Sequence, residues 1–403
     1  MGTSNQKTVL SRIVTTISII LLIRLGNYIP VPKVDQQYLV NILNTTPILR
    51  NFYTSEDLVL GVFTLGILPN INASIMMQLL VSVIPSLEKL QKEEGESGRR
   101  EIIKYTRYLS LFWAIVESIS IALALRPILF LWNFSVCCQI TLALATGSMI
   151  VMWLSEIITE EGIGNGSSVV ITLNILSNLP STIKTVFNSG NLTSVSIGLL
   201  SFTILIIGII YVQEAVRIIP LISAKQLFAQ QNQTSNQAMN TSYLPLKINQ
   251  GGVMPVIFAS TVLTFLTVFV NYLLGLQFLS AITVNLTTRN ILYGAANFGL
   301  ILAFSLFYSN LILNPKELAT NLNKMAVSVP GVRPGNQTKE YLQQTLKRLS
   351  LLGALFLATI VAIPNIRSST GFGVTSLLIL VGVTVDTSRQ IQTLLITESY
   401  NND

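Results

Sequence analysis

Apolar runs of about 17 to 25 residues recur along the whole chain, separated by polar or Gly/Pro-marked breaks, and that is the length a helix needs to cross a bilayer core. Ten such spans are predicted: 13–29, a broken second span over 58–84, then 106–125, 136–158, 167–187, 194–216, 253–275, 291–313, 349–366 and 374–395. The second is unlike the rest. Its first part, 51–66 (NFYTSEDLVLGVFTLG), carries Glu56 and Asp57 in one turn and is too short and too polar to cross alone. Gly66-Ile-Leu-Pro69 then interrupts, and 71–84 continues as a helix. Two readings fit: a re-entrant segment, tolerated only where protein or a water-filled cavity shields its backbone, or a kinked ordinary span behind a polar loop.

The break has a counterpart in Gly252-Val-Met-Pro255, which opens the seventh span 186 residues later for both the Gly and the Pro. A weaker pair is Gly162-Ile-Gly164 before span five and Gly371-Phe-Gly373 before span ten. Five spans per half start the second half on the opposite side of the membrane, so matched breaks in spans two and seven predict an inverted repeat with a pathway near the midplane. The expected architecture is an all-α polytopic membrane protein, ten transmembrane helices in two inverted pseudo-symmetric halves, 1–190 and 191–403, around a central pore.

Composition agrees. With 50% hydrophobic and 11% charged residues and a mean hydropathy of +0.61, the chain departs from soluble domains, where about 25% of residues are charged. Of the 25 Lys and Arg residues, 18 fall on the side of the termini and the even-numbered connections, which places both termini in the cytoplasm or its equivalent. The net charge of +7 then needs no nucleic acid to explain it. No secretory or transit segment is recognisable before the first span, which is expected to act as its own insertion signal. Histidine is absent, which removes the usual metal ligand and proton shuttle. Cys137 and Cys138 are adjacent and form no CxxC. No metal site and no cofactor is expected.

Just past the breaks, Ile71 and Ile75 share one helical face, with Ile171, Ile257 and Ile379 near the starts of the other marked spans. Aliphatic side chains there would close a pore to ions by dewetting and give passing chains no chemical preference. Arg24, Glu117 and Asp386 are the ionisable candidates inside spans. Glu117 sits mid-span beside Ser118 and Ser120 without an obvious partner, either protonated or facing a wet cavity.

Three polar stretches lie outside. Residues 88–107 hold eleven charges of both signs, a solvated helical hairpin or a docking surface. In the loop 217–250, residues 230–242 are polar and uncharged, and 244–249 suit a short strand. The connection 314–348, with six basic residues among eight charged, sets Arg333 between two Pro-Gly pairs. Proline fixes φ and glycine admits positive φ, so Arg333 is expected on a stiff, exposed turn facing a partner. GIGNGS over 162–167 lacks a Walker lysine and a βαβ context, and is read as a tight interhelical turn.

At LGILPNINASIMMQLL, ITEEGIGNGSS, LPLKINQGGVMPVIFAS, NPKELATNLNK, PGVRPG and TSLLI the chain resembles the SecY family, the channel subunits of the Sec protein translocon. The likeness runs from the first span to Leu395 and looks most like the plastid-encoded algal members. It implies a clam-shell of spans one to five and six to ten around an hourglass pore, with unfolded preproteins threading it and apolar segments leaving sideways into lipid. The pore ring maps to Ile71, Ile75, Ser167, Ile171, Ile257 and Ile379, where Ser167 departs from the aliphatic pattern. A plug maps to about 51–66, with Asn51, Phe52, Glu56, Asp57 and Phe63, although its acidic TSED departs from the small-residue pattern. The lateral gate has its breaks at Gly66, Pro69, Gly252 and Pro255. Docking of a SecA motor or a ribosome falls to Arg333, Lys324 and Lys247. The implied partners are SecE, a SecG-like subunit, SecA or the ribosome, preproteins and lipid, without specific nucleic-acid recognition. The implied home is the plastid thylakoid membrane, with the bacterial plasma membrane as the alternative. Glu117 stands where relatives carry an uncharged polar residue.

The competing reading is an inverted-repeat secondary transporter, which should show coupling-ion ligands or paired charges at the helix breaks. An intramembrane enzyme would need a nucleophile with its base or metal ligands, and the residues supply neither.

Overall fold

The computed structural model describes residues 9–34, 60–93, 95–126, 132–177, 192–223, 242–273, 286–362 and 374–402. Among these are twelve helices and four short strands. In chain order they are α1 (Val9–Asn27), α2 (Leu68–Val83), α3 (Pro85–Glu93), α4 (Gly95–Ala124), α5 (Phe134–Glu161), α6 (Gly166–Ser177), α7 (Leu192–Glu214), β1 (Val216–Pro220), β2 (Ile222–Ser223), β3 (Tyr243–Lys247), α8 (Met254–Leu273), α9 (Leu286–Ile312), α10 (Pro315–Lys324), β4 (Val327–Ser328), α11 (Asn336–Ala362) and α12 (Val374–Asn402). A helix lies in each of the ten predicted spans, and α1, α4, α5 and α11 are long and apolar enough to cross a membrane by length and composition. The chain groups into two compact units, Met1–Gly190 with Ile379–Asp403, and Asn191–Leu378.

In the first unit α4 packs on α2, α3 and α5, and α5 also packs on α1 and α6. One stripe of α4, Ser110, Ala114, Ser118 and Ala122, is wholly buried. These positions recur every fourth residue, and their small side chains let neighbouring helices approach closely, as packing without a hydrophobic driving force requires. At the 88–107 stretch the charges are helical: α3 ends, Gly95 takes φ +58°, and α4 begins at Gly95 rather than near Thr106. At its far end Arg107 forks onto Glu156 of α5, Nε to Oε1 at 3.0 Å and Nη2 to Oε2 at 2.8 Å.

In the second unit α9 packs on α8 and α11, and α10 packs on α11. The strand expected near 244–249 exists as β3, paired antiparallel with β1 from Val216↔Lys247 to Pro220↔Tyr243. The smaller pair β2–β4 joins Ile222 to Ser328. One apolar core ties both connections together: Ile219, Leu221 and Leu246 from the ribbon, Ala319 and Leu322 from α10, Val329, and Leu342, Leu346 and Leu349 from α11.

The 314–348 stretch is therefore not the long loop that its charge suggests. Asn314 caps α10 by accepting from the Lys316 N–H, Pro315 occupies the first turn, and Glu317 and Lys324 complement the helix dipole at its two ends. The link without helix is confined to residues 325–335, and α11 starts at Asn336, well before the predicted span. The reason is spacing. Thr338, Leu342, Leu346 and Leu349 recur at helical intervals and are all buried, so tertiary packing holds as helix a segment whose charges read as loop.

Candidate functional site

The two GxxP breaks have the same local build. Gly66 and Gly252 take φ of +56° and +58°, a left-handed conformation that costs any residue with a Cβ. Each is followed within the next turn by Pro69 or Pro255, at the start of α2 or α8, where a missing N–H is no loss. Each break carbonyl is satisfied by a side chain, Gly66 O by the Ser148 hydroxyl at 3.1 Å and Gly252 O by the Asn249 amide at 2.9 Å. Each helix then closes its first bond to the residue after the glycine: Ile71 N–H to Ile67 O at 3.1 Å, and Ile257 N–H to Val253 O at 3.3 Å. Ile71 and Ile257 thus hold equivalent positions, and both are buried.

Of the other ring candidates, Ile75 and Ile379 are buried, and Ser167 and Ile171 in α6 are half-buried. Ser167 is held by the cap of α6: its N–H and its hydroxyl both donate to Oδ1 of Asn165, the residue before the helix start, at 3.2 and 2.7 Å.

Ahead of the first break, Val31 N–H bonds to Leu60 O and Val62 N–H to Ile29 O, both at 2.9 Å, so the end of α1 is paired with the approach to Gly66. Phe63 lies in that turn, its ring so close on Gly26 of α1 that a Cβ there would overlap it. Asn51, Phe52, Glu56 and Asp57 lie outside the described residues, as do Gly371, Phe372 and Gly373 and most of the 230–242 stretch.

Glu117 does have a partner. Asn72 of α2, next to Ile71, donates its Nδ2 hydrogen to Glu117 Oε1 at 2.9 Å. The two are 45 residues apart, and only the packing of α2 on α4 unites them.

The docking candidates sit on the ribbon and α10–α11 core. Gly331 and Gly335 take φ of +77° and +100°, as the two Pro-Gly pairs predict. Val329 is buried beneath the turn, Val332 packs against the same core, and the Thr338 hydroxyl donates to Arg333 O at 2.9 Å. The backbone of the turn is anchored and the Arg333 side chain stands exposed. Lys324 is exposed at the end of α10, and Lys247 is half-buried at the end of β3. GIGNGS is the expected tight turn: α5 ends at Glu161 with Gly162 as its C-cap, Gly164 has φ +87°, and α6 starts at Gly166. Among the described residues no three His, Cys, Asp or Glu side chains gather where they could hold a metal.

Comparisons with known proteins come out alike. The SecY protein-family model matches residues 61–388. A protein translocase subunit SecY of Guillardia theta is 46% identical over 96% of this chain and 95% of that protein. One from Synechococcus elongatus is 45% identical over 96% and 93%. A solved structure of Sec61 in the canine ribosome-channel complex shares the fold with a TM-score of 0.66, at 16% identity over 98% of this chain and 94% of that one.

Proposed function

The chain belongs to the SecY family, and from that membership we propose how its residues divide the work of a protein-conducting channel. It is the pore-forming subunit of a protein translocase, a multi-pass membrane protein and not an enzyme. The observation that carries the residue assignment is the matched pair of breaks, in which the same backbone conformation, proline placement and carbonyl capping recur 186 residues apart. Such a match supports ten spans in two inverted halves.

On this reading Ile71, Ile75, Ile171, Ile257 and Ile379 form an aliphatic constriction, with Ser167 as its one polar member. A side chain without charge or fixed hydrogen-bonding demand lets any extended polypeptide pass and resists wetting when none is present. The GxxP helices α2 and α8 serve as gate helices. A segment of about 20 apolar residues gains by leaving for lipid, whereas a polar one continues through. Residues 51–66 act as the plug.

Arg333, Lys324 and Lys247 form the docking face for the driving partner. Relatives are seen in ribosome-channel complexes, and the rigid exposed arginine suits an acidic or phosphate-bearing partner, whether ribosome or SecA motor. SecE and a SecG-like subunit complete the assembly. Both termini are cytoplasmic or stromal by the positive-inside rule, and the algal and cyanobacterial relatives favour a plastid thylakoid membrane, with a bacterial plasma membrane next. The transporter alternative gains no support from the family match.

The test is crosslinking of an arrested, radiolabelled preprotein to photoreactive probes placed singly at Ile75, Ile171 and Ile257, in membranes supplied with SecA. Adducts at all three that vanish on chain release are expected. Adducts only at lipid-facing controls would overturn the pore assignment.

A further inference from the structure

The turn between α5 and α6 is gripped by three helices. A Cβ at Gly162 would run into Thr16 Cγ2 of α1, one at Gly164 would stand 2.8 Å from Thr387 Cγ2 of α12, and one at Gly166 would overlap the Ser155 carbonyl oxygen of α5. Each of three glycines in five residues thus admits a different neighbour. Polar contacts follow the same plan. The Thr15 hydroxyl of α1 donates to Glu161 O at 3.3 Å, Gly166 N–H donates to the Thr159 hydroxyl at 2.9 Å, and Gly164 N–H donates to Gln390 Oε1 of α12 at 2.8 Å. The last bond joins residues 226 apart in sequence. Gly164 has φ +87°, so its N–H is directed by a backbone conformation that only glycine holds without strain.

This bond lies between two ring-bearing elements. Gln390 is eleven residues past Ile379 on α12, which is three turns plus about 20°, so the two share a helix face about 16 Å apart. Gly164 lies two residues before the α6 start at Gly166, and Ser167 and Ile171 occupy the first two turns of that helix. The axial position of α12 is therefore referred to the point from which α6 begins.

We propose that Gln390 is a positioning residue of the constriction: by accepting the Gly164 N–H it sets the register of α12 against α6, and with it Ile379 against Ser167 and Ile171. The proposal rests on the assignment of those three residues to the ring. Thr387 completes the seat through its methyl group against Gly164, and the exposed Gln390 contributes through its acceptor rather than through bulk.

The test uses the full chain in lipid nanodiscs and liposomes with its partner subunits, comparing Gln390→Ala, which deletes the acceptor, with Gln390→Glu, which keeps it. Hydrogen exchange over residues 162–171 and resting ion leak are read on each, with Ile171→Ser and Ile379→Ser as ring controls. Gln390→Ala should speed exchange of the turn by about fivefold, the change expected from one lost hydrogen bond, and raise the leak. Gln390→Glu should leave both near the parent. Unchanged exchange in Gln390→Ala would overturn the proposal at its first step. Faster exchange with no added leak, while the ring controls leak, would overturn the positioning role and leave the ring intact. If the ring controls are silent as well, the ring assignment itself falls.

Discussion

Replacing Gly252 by alanine isolates the backbone term of the helix break. The new Cβ would meet nothing within 4 Å, so the whole effect comes from holding an L-residue at φ +58°, about 1–2 kcal/mol. At Gly66 the same change adds a contact at 3.3 Å with Asn174 Nδ2 of α6, which a side chain can relieve by a small shift. Asparagine tolerates the left-handed region better than alanine, so the expected order of damage is Gly252→Asn, then Gly252→Ala, then Gly66→Ala. One or two kcal/mol multiplies the locally open population about 5- to 30-fold. Hydrogen exchange followed by mass spectrometry in nanodiscs should show that acceleration in peptides covering Val256 and Ile257, whose N–H groups close the first turn of α8 on Val253 O. Peptides from the distant part of α11 should not change. Exchange at the α8 start that stays within twofold of the parent in Gly252→Ala, or an asparagine variant as fast as the alanine one, would refute the argument that backbone conformation sets the break.

Arg333→Glu should weaken SecA-driven export in inverted vesicles and leave the resting leak unchanged, because the backbone of the turn is held by Val329 and Thr338 and not by the guanidinium; normal export with normal SecA affinity would remove the docking role. Ile75→Ser combined with Ile257→Ser should raise resting ion conductance in planar bilayers, since both side chains are buried and hydroxyls favour wetting, and an unchanged conductance would place the constriction elsewhere. Leu342→Ala empties a fully buried site beneath the ribbon at a cost of about 2–5 kcal/mol. Trypsin cleavage after Lys324 should speed up accordingly, and parental cleavage kinetics would show that this core does not hold α10 in place.

Backbone chemistry was legible in the chain, because it is local. Gly66 with Pro69 and Gly252 with Pro255 announce their breaks wherever they occur, and the Pro-Gly pairs around Arg333 announce a stiff turn. The apolar runs marked where ten helices lie, since hydrocarbon leaves the backbone few other ways to satisfy itself. Boundaries with water were less legible. The charges of 339–348 read as loop, while the buried Leu342, Leu346 and Leu349 of the same stretch carry a helical period that a count of charge overlooks. Val216 read as the end of span six and Ile218 as the start of the loop 217–250, and only pairing with β3 makes one strand of them.

What the sequence determined by itself, then, is membrane class, the position of the apolar helices and the conformation of the breaks, all properties of a few neighbouring residues. Tertiary structure alone decided which polar groups meet: Asn72 with Glu117, Arg107 with Glu156, and Gln390 with Gly164. These partners lie 45, 49 and 226 residues apart, and nothing in a local pattern specifies the distance or register at which two packed helices bring them together.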